Sequence, residues 1–323
     1  MERTKCAHGL QPHHTNSPHA RDTWCGFSLL LALIAMTNGT VRIRLDLAYD
    51  GTDFHGWARQ GDSDLRTVQK IIEDTLKLVL QRPIDLTVAG RTDAGVHATG
   101  QVAHFDVDPA ALETRSIAGD PARLIRRLAR LMPADVRIHN MSFVPAEFDA
   151  RFSALRRRYI YRVTTHPRGA LPTRARDTAH WPRSVDISAM QAAGDALIGM
   201  HDFAAFCKYR EGASTIRDLQ EFTWHDVSTP QEPQLYEAHV TADAFCWSMV
   251  RSLVGACLVV GEGKRADGFT EHLLGETKRS SSIPVAAACG LSLVGVDYPS
   301  DDQLGARAEQ ARAYRTHDEL PSL

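Results

Sequence analysis

The chain has 323 residues, a formal net charge of −2 and the composition of an ordinary globular protein. Its length suits one large domain or two smaller ones, and its near-neutral charge does not by itself indicate a nucleic-acid-binding protein. The cysteines form no CxxC pair, which argues against a zinc site and a disulfide framework and favours a reducing cytoplasm. The six are Cys6, Cys25, Cys207, Cys246, Cys257 and Cys289.

The first 38 residues differ in character from the rest. Residues 27–36 form an apolar run that is too short to span a bilayer, and neither a clean basic start nor a cleavage site accompanies it. We interpret residues 1–38 as a leader outside the domain, with Met36 as the expected initiator. Residues 1–35 are then a mis-assigned gene start or a disordered extension, and a signal peptide is the less favoured alternative.

The next hundred residues alternate between strand and helix patterns. Apolar residues at every second position from Val41 to Leu47 predict a half-buried strand. Helical spacing predicts a helix over 64–80, capped by Ser63, Asp64 or Thr67. Further apolar patterns predict strands over 84–88, 102–107 and 136–144 and an amphipathic helix over 121–132.

The second half repeats this mixture. The patterns predict strands over 159–163 and 290–297, a hairpin over 219–228 and 235–243, and helices over 187–200 and 246–261, the first capped by Asp186. Both halves open on an alternating strand. We therefore predict a mixed α+β protein of two similar lobes around a cleft. The predicted divisions are an N-terminal catalytic lobe over 39–145, a C-terminal lobe over 146–298, and a mobile polar tail over 299–323 with room for one surface helix.

One loop carries a displayed acid. The run AGRTDAGVHATGQV over 89–102 places Asp93 between Arg91 and small residues, among three glycines and between two predicted strands. Loops held by a rigid scaffold are where catalytic residues concentrate. The sequence lacks a nucleotide-binding glycine motif, a zinc-deaminase motif and an acidic neighbour of Asp93 before Asp106. The absence of these motifs is compatible with a cofactor-free reaction that uses one aspartate.

Four segments together resemble the tRNA pseudouridine synthase A family. They are GRTDAGVHATGQVAHF over 90–105, LAYDGTDFHGWARQ over 47–60, FDARFSA over 148–154 running into RRRYIY over 156–161, and AFCWSMVR over 244–251. They occur in the family's order, and the resemblance covers about residues 41–298. It implies two similar lobes that share a continuous, largely antiparallel sheet flanked by helices. It also implies isomerisation of uridine to pseudouridine on the 3′ side of the tRNA anticodon stem-loop, at tRNA positions 38–40. No cofactor or metal is implied, and the implied partners are tRNA and a second subunit in a cytoplasmic homodimer.

The resemblance implies three catalytic residues. Asp93 is the nucleophile or acid–base group, Arg251 near the start of the last long helix is its partner, and Tyr159 lies near the target base. A nearby arginine keeps a buried carboxylate charged, as this chemistry requires. The alternatives are a surface arginine on an amphipathic helix and a strand tyrosine that only packs across the sheet.

Predicted RNA contacts surround these residues. Arg156, Arg157 and Arg158 belong to an arginine cluster beside Tyr159 and Tyr161, a combination typical of phosphate and base contacts. Arg91 is predicted to position RNA or assist base flipping, with binding of loop carbonyls as an equal alternative. His97 is predicted to contact RNA, with a structural hydrogen bond inside the loop as the alternative.

The sequence departs from the family's common residues at a few positions, including Ala98 and Ser252, where glycine and asparagine are frequent. These departures bear on RNA docking rather than on the acid. Three alternative functions stay open. They are an RNA-binding or RNA-folding protein without catalysis, a glycosidase-like hydrolase that releases free base, and a synthase with a different RNA target.

Overall fold

The computed structural model describes residues 39–61, 64–313 and 315, and the helices and strands of these ranges lie in the unit Val41–Leu323. The predicted leader over 1–38, with Met36, lies outside the described residues. None of the helices in the described ranges is long and apolar enough to cross a membrane.

Within the described ranges, ten strands form one sheet. They are β1 (Val41–Tyr49), β2 (Thr87–Val88), β3 (His97–Val107), β4 (Val136–Val144), β5 (Arg156–Thr164), β6 (Ala179–His180), β7 (Gly199–Asp202), β8 (Ile216–Asp226), β9 (Leu235–Ala242) and β10 (Leu291–Asp297). The same part of the chain contains six α-helices. They are α1 (Val68–Leu80), α2 (Leu124–Leu131), α3 (Ile187–Asp195), α4 (Met249–Gly261), α5 (Phe269–Leu274) and α6 (Leu304–Arg312).

The strand order joins two lobes in one sheet. The order is β4-β1-β3-β10-β5-β9-β8-β7, with β2 on β3 and β6 on β5, and only the β3–β10 and β5–β6 pairs are parallel. The predicted mixed fold with a largely antiparallel shared sheet is therefore confirmed. The lobes meet where Ser292 of β10 lies opposite His97 of β3. This junction coincides with the end of the loop that carries Asp93.

Alternating burial explains why these segments form strands. The apolar residues of β1 are almost fully buried and the intervening polar ones are half-exposed, as expected for a strand with one covered face. Helix α2 packs against β4, and α3 packs against both α4 and β8. The caps follow the prediction. The Thr67 side chain accepts the N–H of Lys70 at the start of α1, and Asp186 accepts two N–H groups at the start of α3.

Two predictions require correction. The helix predicted over 187–200 ends at Asp195, because Gly199 has φ +115° and residues 199–202 pair with β8 as strand β7. The cysteine spacing argued against a disulfide framework, whereas the described residues contain one disulfide, Cys207–Cys246, with the two Cα atoms 5.7 Å apart. They are 39 residues apart in the sequence, so only the tertiary fold brings them together.

Candidate active site

The loop that carries Asp93 is fixed on both sides. At its start, Ala89 N–H donates to the carbonyl of Val102 on β3 over 2.9 Å. The residue before the acid, Thr92, is buried. Its carbonyl accepts the N–H of Trp57 over 3.0 Å, and its hydroxyl bonds the Tyr49 hydroxyl over 2.8 Å. Two residues of the segment over 47–60, Tyr49 and Trp57, therefore hold the loop in place through these hydrogen bonds to Thr92.

Buried Gln101 supports the same loop from β3. Its Nε2 donates to the carbonyl of Gly90 over 2.8 Å and to the hydroxyl of Tyr49 over 3.2 Å. Its side chain is fully buried, so these bonds form away from competing water. The glutamine of the motif is thus a structural support for the Asp93 loop.

Asp93 has two side-chain partners on the other lobe. Ser248 Oγ donates to Asp93 Oδ2 over 3.2 Å, and Arg251 Nη1 donates to the same oxygen over 3.5 Å. The Asp93 side chain is 25 % exposed, so it remains open to a ligand. The arrangement presents a paired carboxylate that is reachable from solvent.

Arg251 lies in the first turn of α4, near the helix start as predicted, and is itself held in place. Its Nε donates to the carbonyl of Ala286 over 2.7 Å, and its own carbonyl accepts the Ala286 N–H over 3.1 Å. The segment can approach this closely because α4 has a glycine at the contact. A Cβ on Gly255 would lie 1.9 Å from the carbonyl oxygen of Pro284. The close approach therefore depends on a residue without a Cβ at this position of α4.

Tyr159 projects from β5 toward the Asp93 loop. Its ring packs edge-on against Phe245 at 5.2 Å, and a Cβ on Gly90 would be 4.0 Å from its hydroxyl. Burial, reinforced by the nearby Tyr49, raises the pKa of Tyr159 well above the usual 10. The phenol therefore stays protonated at neutral pH and is available as a hydrogen-bond donor.

Arg157 shares the face of Tyr159 and is buried. Its guanidinium donates to the carbonyls of Ala89 over 2.9 Å, of Asp243 over 2.6 Å, and of Arg151. Burial lowers the pKa of the Arg157 guanidinium below its usual value. This side chain ties the start of the Asp93 loop to the segment before α4.

Arg156 and Arg158, which flank Arg157 on β5, lie on the opposite face of the strand. Successive side chains of a strand alternate between faces, and Arg156 and Arg158 are exposed on the face opposite Tyr159. Both reach Asp297 on β10, at 3.6 Å and 3.0 Å respectively. The structure thus separates the three predicted RNA-binding arginines into one interior residue and two surface residues, and their RNA contacts stay a prediction.

Arg91 and His97 flank the acid and occupy different environments. Arg91 is exposed, and within the described part of the chain its guanidinium has no hydrogen-bond or ion-pair partner. His97 is buried, and its Nδ1 accepts the N–H of Gly51 over 3.0 Å and lies 3.2 Å from Asp50 Oδ1. This geometry matches the alternative interpretation of His97 as a loop support. The RNA-contact predictions for both residues remain untested.

Sequence reasoning missed Ser248. It lies inside the segment AFCWSMVR, three residues before Arg251, and only its position in that motif could have indicated a role. Its backbone has φ +64° immediately before α4, a left-handed conformation that is uncommon for serine. No group of three or more metal-ligating side chains exists among the described residues.

Comparison with known proteins agrees with this geometry. A family model described as tRNA pseudouridine synthase matches residues 47–153 and 193–299, and it spans every element of the site except β5. The chain belongs to the tRNA pseudouridine synthase family. The match supports the tRNA pseudouridine synthase A resemblance seen in the motifs, and the activity of such an enzyme is an isomerisation.

Curated relatives carry the more specific name. The tRNA pseudouridine synthase A of Corynebacterium glutamicum is 66 % identical over 275 residues, which is 85 % of this chain and 95 % of that protein. The Mycobacterium leprae protein of that name is 50 % identical, over 85 % of this chain and 96 % of its own. The Frankia casuarinae protein is 51 % identical, over 87 % and 97 % respectively. The matches therefore cover nearly the full length of these relatives.

Proposed function

We propose that this tRNA pseudouridine synthase uses Asp93 as its catalytic carboxylate on uridines of the anticodon stem-loop, at tRNA positions 38–40. The observation that carries the proposal is the convergence of Ser248 and Arg251 on one oxygen of a solvent-reachable Asp93. The other carboxylate oxygen has no hydrogen-bond partner within the described residues, and it is the atom we assign to the substrate.

The reaction exchanges one bond for another within the same nucleotide. The N1–C1′ glycosidic bond breaks, the base turns, the C5–C1′ bond forms, C5 loses its proton and N1 gains one. A carboxylate can attack C1′ or accept the C5 proton, and either step needs its ionised form. Arg251 and Ser248 both donate to one oxygen of this carboxylate. The target base must leave the helical stack to reach the loop, so we expect base flipping.

Tyr159 is assigned to the face of the flipped base. Its raised pKa keeps the hydroxyl protonated, so it contributes a donor and an apolar ring rather than a phenolate. Its edge-on contact with Phe245 fixes the ring, and a fixed ring presents its hydroxyl at one place. We propose that this hydroxyl serves proton transfer or orientation of the uracil.

The RNA contacts are proposed at the exposed rim. Arg91 lies two residues before Asp93, and its guanidinium has no hydrogen-bond or ion-pair partner among the described residues. We therefore assign it to a phosphate beside the flipped nucleotide. Arg156 and Arg158 would meet RNA only on the opposite sheet face. For Arg157 and His97 the contacts support a role in positioning the loop, beside the RNA contact predicted from sequence.

We further propose a homodimer in which one tRNA contacts both subunits, and action in the cytoplasm where tRNA is found. The modest net charge of −2 is compatible with basic grooves assembled locally from arginines. Disulfides in the cytoplasm are rare and usually transient. In that compartment the Cys207–Cys246 pair is expected to exist mainly as two thiols.

The test uses unmodified tRNA transcripts with purified protein. Carbodiimide-stop sequencing maps new pseudouridines, and chromatography of the same reactions measures free uracil. Pseudouridine at positions 38–40 without uracil release supports the proposal. Free uracil would indicate a hydrolase, pseudouridine elsewhere would indicate another RNA target, and binding without either product would indicate an RNA-binding protein.

A further inference from the structure

An exposed aromatic side chain, Trp247, lies beside the candidate site. Among the described residues, six large apolar side chains are exposed, and only Tyr209 and Trp247 of these are aromatic. Trp247 is 50 % exposed although it directly precedes Ser248, the residue that donates to Asp93. An indole left in solvent at the edge of a nucleic-acid site is available for stacking.

The indole is held in place rather than loose. Lys208 donates its backbone N–H to the carbonyl of Trp247 over 2.9 Å, and its Nζ lies 4.0 Å from the centroid of the Trp247 ring. One face of the ring is therefore occupied by a cation, and the half-exposed remainder is open to a planar ligand.

The surroundings of the ring carry positive charge. Arg210 lies two residues beyond Lys208, and both Arg91 and Arg210 are close enough to Arg151 to help lower its pKa, after the larger effect of burial. Arg151, just before RRRYIY, therefore lies within electrostatic range of one arginine of the Asp93 loop and one of the loop after Cys207. Such a rim suits the phosphates next to a base that lies on an aromatic ring.

We propose that Trp247 is a substrate-binding residue that stacks on a base flanking the target uridine, with Lys208 beneath it. The inference deepens the proposed function and rests on the assignment of Asp93. When a uridine leaves its stack, the neighbouring base loses a stacking partner, and an indole beside the site can replace it. Stacking of this kind does not depend on base identity, so Trp247 stabilises the flipped state without selecting a sequence.

The first test measures binding in the Asp93→Asn background, so that turnover does not change the RNA. Trp247→Ala should raise the Kd for an anticodon stem-loop roughly 5- to 150-fold, the range of one lost base–aromatic stack. Trp247→Phe keeps an aromatic face and should recover most of the affinity. Leu78→Ala, an exposed apolar residue on α1, is the matched control and should leave Kd unchanged.

The second test locates the stacked base. Stem-loops with a single abasic site at each position flanking the target are bound to the parent and to Trp247→Ala. An abasic site that removes the base stacked on Trp247 should weaken RNA binding by the parent protein. It should not weaken binding by Trp247→Ala, because that variant already lacks the indole on which the base would stack. Equal losses in both proteins at every flanking position would overturn the proposal.

The outcomes separate this inference from the proposed function. If the wild type forms pseudouridine in the anticodon arm while Trp247→Ala binds like the parent, the stacking inference fails and the function stands. If Trp247→Ala lowers kcat at saturating tRNA with Kd unchanged, the residue acts only through Ser248 and the inference also fails. If the wild type forms no pseudouridine, the proposed function fails, and the stacking inference that rests on it fails with it.

Discussion

Arg251 bridges Asp93 and Ala286, donating from Nη1 to the carboxylate over 3.5 Å and from Nε to the carbonyl over 2.7 Å. The two bonds leave from different nitrogens of one planar group, so the charge that faces Asp93 is oriented by the backbone segment behind it. A lysine has a single ammonium nitrogen and cannot donate to both the Asp93 carboxylate and the Ala286 carbonyl at these positions.

Arg251→Lys should therefore keep the positive charge and lose its orientation. We expect kcat to fall by about 100-fold, the cost of a misplacement of about 1 Å at a reacting group, while the Kd for tRNA changes little. Single-turnover kinetics with labelled transcript measure the first quantity and filter binding the second. Arg265→Lys, at an exposed position beyond α4, is the control. A fully active Arg251→Lys enzyme would contradict the assignment.

Tyr159→Phe should separate the hydroxyl from the ring. The substitution keeps the edge-on contact with Phe245, so the free energy of unfolding should change by no more than about 1 kcal/mol. We expect kcat to fall at least about tenfold, because a positioned donor is lost. Tyr161→Phe, buried two residues along the same face of β5, is the matched control and should retain kcat. Equal effects of the two variants would indicate packing roles only.

Arg157→Met should destabilise the fold as well as the site. Three carbonyls that accept from the guanidinium would lose their donor, and each buried unsatisfied group costs about 1–3 kcal/mol. We expect a loss of several kcal/mol in urea unfolding. Arg156→Met, one residue away on the exposed face, should change stability by about 0.5 kcal/mol or less. A stable Arg157→Met protein with weakened tRNA binding would instead support direct RNA contact.

His104 gives the fold a dependence on pH. Burial, followed by the positive charge of Arg42, lowers the pKa of His104 from 6.5 to about 4. The unfolded chain therefore binds the extra proton between pH 6.5 and 4, and the folded protein loses stability as the pH falls through that window. The total loss below pH 4 is at most about 3.4 kcal/mol, at 1.36 kcal/mol per pKa unit.

The His104→Asn variant isolates this effect. Asparagine keeps an acceptor for the N–H of Ala150, which His104 Nδ1 accepts over 3.0 Å, but it does not titrate. Between pH 7 and pH 5 the wild type should lose about 2 kcal/mol more than the variant in urea unfolding. Parallel pH dependences of the two proteins would show that His104 does not titrate as described.

Local patterns predicted most elements of the fold, because each reports a neighbour close in sequence. The alternation in β1 and the Thr67 and Asp186 caps are of this kind. The helix predicted through Met200 failed because the pairing of β7 with β8 overrides local helical spacing. The Cys207–Cys246 bond could also not be predicted from the sequence, since it depends on the tertiary contact between two loops.

The candidate site divides in the same way. The motif indicated Asp93, Tyr159 and Arg251, and the structure brings Arg251 to Asp93 across the two lobes. The sequence could not distinguish buried Arg157 from its exposed neighbours. Strand alternation places Arg157 on the face opposite Arg156 and Arg158, but it does not show which of the two faces is buried in the protein. It also gave no sign that Ser248 would reach the carboxylate, since that bond depends on the left-handed turn before α4.

We propose that Asp93 performs the chemistry with the help of Arg251 and Tyr159, and that binding of tRNA does not require the Asp93 carboxylate. The most direct measurement compares the wild type and Asp93→Asn on one unmodified tRNA transcript, with single-turnover pseudouridine mapping and filter binding on the same preparations. We predict anticodon-arm pseudouridine with the wild type, none above background with Asp93→Asn, and similar Kd values for both. Pseudouridine formed by Asp93→Asn at the wild-type rate would contradict the claim.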